Sequence, residues 1–139
     1  MEVISLDDIN WFEFECFVAN LFERLGMGKV EEILKTKDAG KDIVIRAPDD
    51  KLIIVECKHT PKSTIGRPVV QKFHSAVITA QAKKGYIVTT GRFSESAIKY
   101  ARSLDPPIEL IDSRILYDMA KRARIKLLKK GVPCIATLK

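Results

Sequence analysis

The chain has 139 residues, 46% of them hydrophobic, which predicts one domain over residues 1–139 with its own core. Its net charge of +6 favours polyanionic partners, and nucleic acid fits better than a membrane because no segment joins a basic face to a bulky apolar face. Three scattered cysteines argue against a disulfide framework or a zinc site, and the acidic N-terminus argues against a signal peptide, so we expect a cytoplasmic protein without a membrane span.

The predicted elements follow the order α-β-β-β-α-β-α-β-α along the chain. They are a helix at 11–25, strands at 29–37, 42–47 and 51–58, a helix from 68 to before 85, a strand at 86–90, a helix at 94–103, a strand at 108–112 and a helix at 113–130. A capping box of Asn10 and Glu13 starts the first helix, and Pro68 suits the first turn of the second. We expect the tail at 132–139 to add an edge strand or to fray.

The second and third strands are joined by the turn-forming residues 47–50 and are therefore predicted to form a β-hairpin. The strand–helix–strand segments that follow make neighbouring strands parallel. A sheet of this kind buries both of its faces under helices. The sequence thus predicts an α/β fold with a mixed sheet flanked by helices on both faces, and a polar loop at 61–67 after the hairpin.

The hairpin also gathers polar residues that suit phosphodiester hydrolysis. Glu56 and Lys58 are two residues apart in a strand, so their side chains point to one face while Cys57 points to the other. Asp42 opens the neighbouring strand and can lie near the Glu56 end. Carboxylate oxygens suit Mg²⁺, and an ammonium can position the attacking water and stabilise developing charge. We therefore predict that Asp42, Glu56 and Lys58 form a site for one or two Mg²⁺ ions.

Glu15 is a further candidate, because it falls within roughly 40° of Trp11 and Phe22 on the apolar stripe of the first helix. A buried carboxylate rarely lacks a partner, and Lys58 or a metal-bound water is the partner we predict. The alternatives are a solvated hairpin with a cross-strand ion pair, and a boundary Glu15 with its carboxylate in water. His59 is predicted to be a surface residue at the strand end rather than a base.

Several segments together resemble the PD-(D/E)XK nuclease superfamily, and more closely its Mrr-type restriction endonuclease branch, over about residues 10–118. The segments are FEFECFVANLFERLG with Phe14 and Glu15, the turn DAGKD that ends at Asp42, the strand VECKH, and the later segments YIVTTGRFSESAIKYA and IELIDSRIL. The resemblance implies a restriction-endonuclease-like mixed β-sheet flanked by helices on both faces, with an αβββαβ core. Many Mrr-type domains carry glutamine where Glu56 stands, so this chain has the acidic residue of the wider superfamily.

The resemblance further implies a Mg²⁺-dependent DNA endonuclease in which Mn²⁺ substitutes, with no small-molecule cofactor. Asp42, Glu56, Lys58 and Glu15 would be the catalytic residues, and Asp42 and Glu56 would hold the metal. One such site cuts one strand, so we expect a homodimer for double-strand cleavage. Full-length enzymes of this branch carry a DNA-recognition domain that does not fit within this chain, and a separate recognition subunit is therefore a further expected partner.

Basic residues near the proposed metal are expected to contact the phosphate backbone. The predicted nucleic-acid contacts are Lys62, Arg67, Gln71 and Lys72. Residues 121–130 are also strongly basic, and Arg122, Lys126 and Lys129 share one face of the predicted last helix. This face is either a second phosphate-binding surface or a solvated face whose positive charges stabilise the C-terminal end of the helix.

Two alternatives to restriction-type cleavage stay open. One is a structure-specific nuclease like the Holliday junction resolvases, which are also small and basic and are built from an early glutamate, an aspartate and Glu-x-Lys. The other is a non-catalytic nucleic-acid-binding module on a nuclease scaffold. The intact set of Asp42, Glu56 and Lys58 argues against that second alternative.

Overall fold

The computed structural model of the chain describes residues 2–33 and 42–128. Its helices are α1 (Trp11–Arg24), α2 (Arg67–Thr79), α3 (Glu95–Ala101) and α4 (Ser113–Arg122). Its strands are β1 (Glu2–Ser5), β2 (Lys29–Ile33), β3 (Ile43–Arg46), β4 (Leu52–Lys58), β5 (Thr64–Ile65), β6 (Lys84–Thr89), β7 (Arg92–Phe93), β8 (Ile108–Ile111) and β9 (Ile125–Leu128). A turn of 3-10 helix over Leu6–Asp8 follows β1.

Within the described residues, the central sheet has five strands in the order β2-β3-β4-β6-β8. The pairs β2–β3 and β3–β4 are antiparallel, whereas β4–β6 and β6–β8 are parallel, so the predicted mixed sheet is confirmed. Since β4, β6 and β8 run in the same direction, they end together at one side of the sheet. This side, marked by Lys58, Thr89 and Ile111, is called the carboxyl edge below.

The sheet separates two apolar clusters, which confirms that helices cover both faces. One cluster includes Phe14 and Phe22 of α1 and Leu116 of α4, and the other includes Phe73 of α2 and Ala97 of α3. Successive residues of β4 alternate between the two clusters, as the pleat of a strand requires. Each helix is therefore held by the apolar residues that one face of the sheet presents to it.

Of the four helices that the structure describes, three start at short polar residues. Asn10 and Glu13 form the predicted capping box of α1, with the Glu13 N–H to Asn10 Oδ1 distance at 2.8 Å. The Ser94 hydroxyl accepts from the Ala97 N–H, and Asp112 caps α4 in the same way. These caps confirm the predicted starts of α1 and α3, and they fix α4 directly after the end of β8.

The predicted last helix, at 113–130, is wrong in its second half. Helix α4 ends at Arg122, Arg124 takes a left-handed φ of 62°, and β9 begins at Ile125. Burial alternates along β9, which is the period of a strand, and β9 pairs in parallel with β1, a strand that the sequence did not predict.

The basic face predicted for that helix is wrong as well, because Lys126 lies on β9 rather than on a helix. Lys129 and the tail at 132–139 lie outside the described residues.

The predicted polar loop at 61–67 contains the short strand β5, which pairs in parallel with β7 and buries Ile65. The first sheet strand, predicted at 29–37, ends at Ile33 within the described residues, and 34–37 lie outside them. No helix within residues 2–33 and 42–128 is long and apolar enough to span a membrane.

Candidate active site

Asp42 lies directly before β3 and is bound to β4 at two points. Its N–H donates to the Val55 carbonyl at 2.9 Å, and its Oδ2 accepts from the Cys57 N–H at 2.7 Å. The side chain is 3% exposed, so the carboxylate is held next to the backbone of β4 and shielded from water. A carboxylate has about four lone-pair positions, so this arrangement leaves acceptor capacity for a further partner.

Glu56 and Lys58 form the second part of the cluster, near the end of β4. Glu56 is 8% exposed, and the Lys58 Nζ lies 3.9 Å from the Glu56 Oε2. That distance is an ion-pair distance and exceeds a hydrogen bond, so the ammonium keeps donors for another acceptor. Cys57 is buried in the cluster that contains α1, which agrees with its predicted direction. The register Ile43–Val55 brings Asp42 to the same end of the hairpin as Glu56.

Glu15 is 0% exposed, between the buried Phe14 and the half-buried Cys16 on α1. The boundary position with a carboxylate in water is therefore wrong. Burial, followed by the charges of Glu15 and Glu13, raises the pKa of the Cys16 thiol, which lowers its thiolate fraction at neutral pH. Contact of Glu15 with Lys58 or with a metal-bound water stays a prediction.

His59 makes more contacts than the predicted surface residue at a strand end would make. Its Nε2 lies 3.1 Å from the Ile9 carbonyl and its Nδ1 lies 3.2 Å from the Thr90 hydroxyl, and its ring stacks on Phe14 at 5.0 Å. Because a carbonyl only accepts, Nε2 is the donor to Ile9, whereas the Thr90 hydroxyl can either donate to Nδ1 or accept from it. His59 thus joins the start of α1 to the carboxyl edge. No local sequence pattern predicts this role, since both partners are distant in the chain.

The loops after β4 and β6 are joined at Gly91. The Gly91 N–H donates to the Thr89 hydroxyl, its carbonyl accepts from the Ser113 N–H, and the Arg92 N–H donates to the Ser63 carbonyl. A Cβ at Gly91 would lie 2.6 Å from the Thr60 carbonyl oxygen and closer still to that of Ser63. Only glycine permits this backbone approach, which fixes the loop that follows Lys58.

The four predicted nucleic-acid contacts divide into two groups. Lys62 is exposed in the loop after β4, next to the candidate site. Gln71 and Lys72 are exposed on α2. The Arg67 guanidinium lies 4.7 Å above the Tyr100 ring, which orients it while leaving its edge for a phosphate. Their contact with nucleic acid remains a prediction.

The donor set fits Mg²⁺ better than zinc. Within the described part of the chain, no three His, Cys, Asp or Glu side chains are close enough together to hold an ion. A closed zinc site needs such a cluster, whereas Mg²⁺ keeps several waters and is held by one or two carboxylates. Asp42 and Glu56, two buried oxygen donors at one end of a hairpin, meet the second requirement.

Comparison with known proteins agrees with this reading of the fold. The family model Mrr_cat, described as restriction endonuclease, matches residues 6–120. The chain is 32% identical over 114 residues to the type IV methyl-directed restriction enzyme EcoKMrr of Escherichia coli (strain K12), a match that covers 76% of this chain and 36% of that protein. The chain therefore spans about a third of the length of this curated relative.

Solved structures share the fold as well. The DNA modification-dependent restriction endonuclease AspBHI aligns with a TM-score of 0.67 at 18% identity, over 83% of this chain and 32% of that one. A protein of unknown function, AF1548, aligns with a TM-score of 0.63 at 20% identity, over 81% of this chain and 67% of that one. The family match, which covers most of the described sheet and helices, shows that this chain belongs to the Mrr-type restriction endonuclease family.

Proposed function

We propose that this chain is a Mg²⁺-dependent endonuclease domain that hydrolyses DNA phosphodiester bonds at Asp42, Glu56, Lys58 and Glu15. The observation that carries the proposal is the pair of buried carboxylates at one end of the β3–β4 hairpin, with a lysine ammonium 3.9 Å from one of them. Buried carboxylates are costly unless a cation or hydrogen-bond donors compensate them, and a divalent ion compensates two at once.

Each residue of the cluster has a distinct role. The Cys57 N–H holds one oxygen of Asp42, which orients the carboxylate and leaves its remaining lone pairs for the ion. Glu56 is the second ligand, and its burial strengthens its attraction for a cation. The Lys58 ammonium donates to a water or to a non-bridging phosphate oxygen. A bound divalent ion supplies charge neutralisation and an acidified water.

Cleavage assays with defined metals and substrates test the proposal. Purified chain is incubated with Mg²⁺, Mn²⁺ or EDTA on supercoiled plasmid, linear duplex, single-stranded DNA and a four-way junction. Methylated plasmid is included because the E. coli relative is methyl-directed. We expect cutting of plasmid DNA with Mg²⁺ or Mn²⁺ and none with EDTA. Cleavage confined to the junction would favour a resolvase, and DNA binding without cleavage under every metal would favour a non-catalytic module.

Cleavage of both strands needs two such sites, so we propose that the active form is a homodimer. We also propose a separate recognition subunit as the partner that would supply sequence or modification specificity. The proposed homodimer is tested by light scattering, which measures the molecular mass of the purified chain alone and with a DNA duplex. A mass of one chain of 15.7 kDa under both conditions would contradict the dimer.

His59 is expected to act as a positioning residue for this site. His59→Ala removes both hydrogen bonds and the stack on Phe14, so the start of α1 loses this link to the carboxyl edge. We expect the cleavage rate constant to fall by about 10–100-fold with little change in KM. His59→Gln keeps one donor and one acceptor and is expected to restore part of the rate. A rise in KM alone, or no recovery with glutamine, would contradict the role.

A further inference from the structure

A cleft of about 650 Å³ opens beside the candidate active site and contains none of its carboxylates. It is lined by the loop at 60–63 after β4, by Thr90 after β6 and by Ser113 at the start of α4. All three positions follow strands that end at the carboxyl edge, which is where α/β sheets commonly bind ligands. The volume lies in the range of about 300–1,000 Å³ that is typical of small-molecule sites.

One wall of the cleft is basic and rich in hydroxyl groups. Lys62 is exposed on this wall, with Thr60 and Ser63 on either side of it. Ammonium and hydroxyl donors of this kind contact phosphate and sugar oxygens whatever the base sequence. Lys62 is four residues beyond Lys58, in the loop that directly follows β4. This wall fits the backbone of a nucleotide.

A second part of the cleft lining has a different chemistry, with Leu6, Asp7 and Tyr117. Burial, and then the charge of Asp7, raises the pKa of the Tyr117 phenol, so the carboxylate lies close to the ring. The Tyr117 hydroxyl donates to the Leu128 carbonyl at 3.1 Å, which fixes the ring in place. A carboxylate repels phosphate but accepts an N–H from an exocyclic amino group of a base. This wall therefore fits a base rather than a phosphate.

We propose that the cleft holds one unpaired nucleotide of the DNA strand, with its phosphate at Lys62 and an amino-bearing base between Asp7 and Tyr117. Apolar and aromatic surface contacts the face of the base, the carboxylate accepts from its amino group, and the Lys62 wall binds its phosphate. Thymine, which presents carbonyl oxygens and a methyl group instead of an amino group, is disfavoured. A base has to leave the duplex to enter, so single-stranded or locally opened DNA is the form that binds.

This subsite rests on the proposed DNA substrate but not on cleavage, so it is tested without metal. ¹⁵N-labelled chain in EDTA is titrated with dCMP, dTMP and inorganic phosphate, and amide shifts are followed by NMR. We expect dCMP to shift the amides of Asp7 and of residues 60–63, and to bind about tenfold more tightly than dTMP. Inorganic phosphate is expected to shift only the Lys62 wall. Equal binding of dCMP and dTMP, or no shifts at the cleft, would overturn the proposal even if the domain cleaves DNA.

Two variants test the base-binding wall and the phosphate-binding wall individually. Asp7→Ala is expected to bring the dCMP to dTMP affinity ratio close to one while phosphate binding is kept. Lys62→Ala is expected to weaken both nucleotides about equally, by roughly fivefold, and to leave their ratio unchanged. Lys99→Ala removes the same charge from the exposed surface of α3 and should change neither the nucleotide affinities nor their ratio. An unchanged ratio in Asp7→Ala, in a chain whose melting temperature matches the parent, would refute the base-binding wall.

Discussion

Asp42→Asn is expected to lower kcat/KM for Mg²⁺-dependent DNA cleavage by on the order of 10³-fold, or about 4 kcal/mol of transition-state stabilisation. Asparagine has the size of aspartate, and its amide oxygen can still accept from the Cys57 N–H at the position of Oδ2. The change therefore removes the negative charge while keeping the link between β3 and β4. DNA affinity measured in EDTA should stay within about twofold, because the phosphate contacts are supplied by other residues.

The matched control is Asp50→Asn in the turn of the same hairpin. The Asp50 side chain is 93% exposed, and its φ of 69° is one that asparagine adopts readily. This variant makes the same chemical change without altering the buried cluster, so its cleavage should equal that of the parent. Parent-level cleavage by Asp42→Asn, with a normal melting temperature, would show that the metal site has been assigned to the wrong residues.

Gly91→Ala is expected to destabilise the fold by about 3 kcal/mol, which corresponds to a fall in melting temperature of roughly 10 °C. The new methyl group would meet the carbonyl oxygens of Thr60 and Ser63, and both belong to backbone that cannot move aside cheaply. The loop after β4 has to shift to relieve the clash. Activity should therefore fall more than stability accounts for, since Lys58 and His59 directly precede that loop. Thermal unfolding and cleavage measured well below the transition separate the two effects.

Gly66→Ala provides the comparison, because a Cβ there meets only the Pro68 ring at an ordinary 3.5 Å. Gly66 precedes α2, so alanine loses a modest capping preference and is expected to cost less than about 1 kcal/mol. Similar melting temperatures for Gly91→Ala and Gly66→Ala would mean that the two loops are not as closely packed as the structure indicates.

The parts of the fold that were predicted correctly depend on local patterns. The capping box of α1 and the alternation along β4 are both set by residues within a few positions of one another. The same is true of Glu56 and Lys58, whose common face follows from a spacing of two in a strand. The carboxylate and lysine cluster was therefore accessible from the sequence.

The errors depend on pairings between distant segments. Residues 121–130 are rich in residues that favour helices, and only the pairing of β9 with β1 explains why Ile125 and Leu127 form a strand. The hydrogen bonds of His59 likewise need Ile9 and Thr90, which are distant in the chain and come together only in the folded structure. Neither contact has a local sequence signal.

The hydrogen bond between Cys57 and Asp42 has a consequence for the order of folding. Its two residues are 15 positions apart in the chain and belong to one hairpin, so little chain entropy is lost in forming it. Placing Glu15 requires α1 to dock on the sheet, which closes a loop of much greater length. The two proposed metal ligands and Lys58 are thus set within a single local unit, and Glu15 joins them only when α1 docks on the sheet.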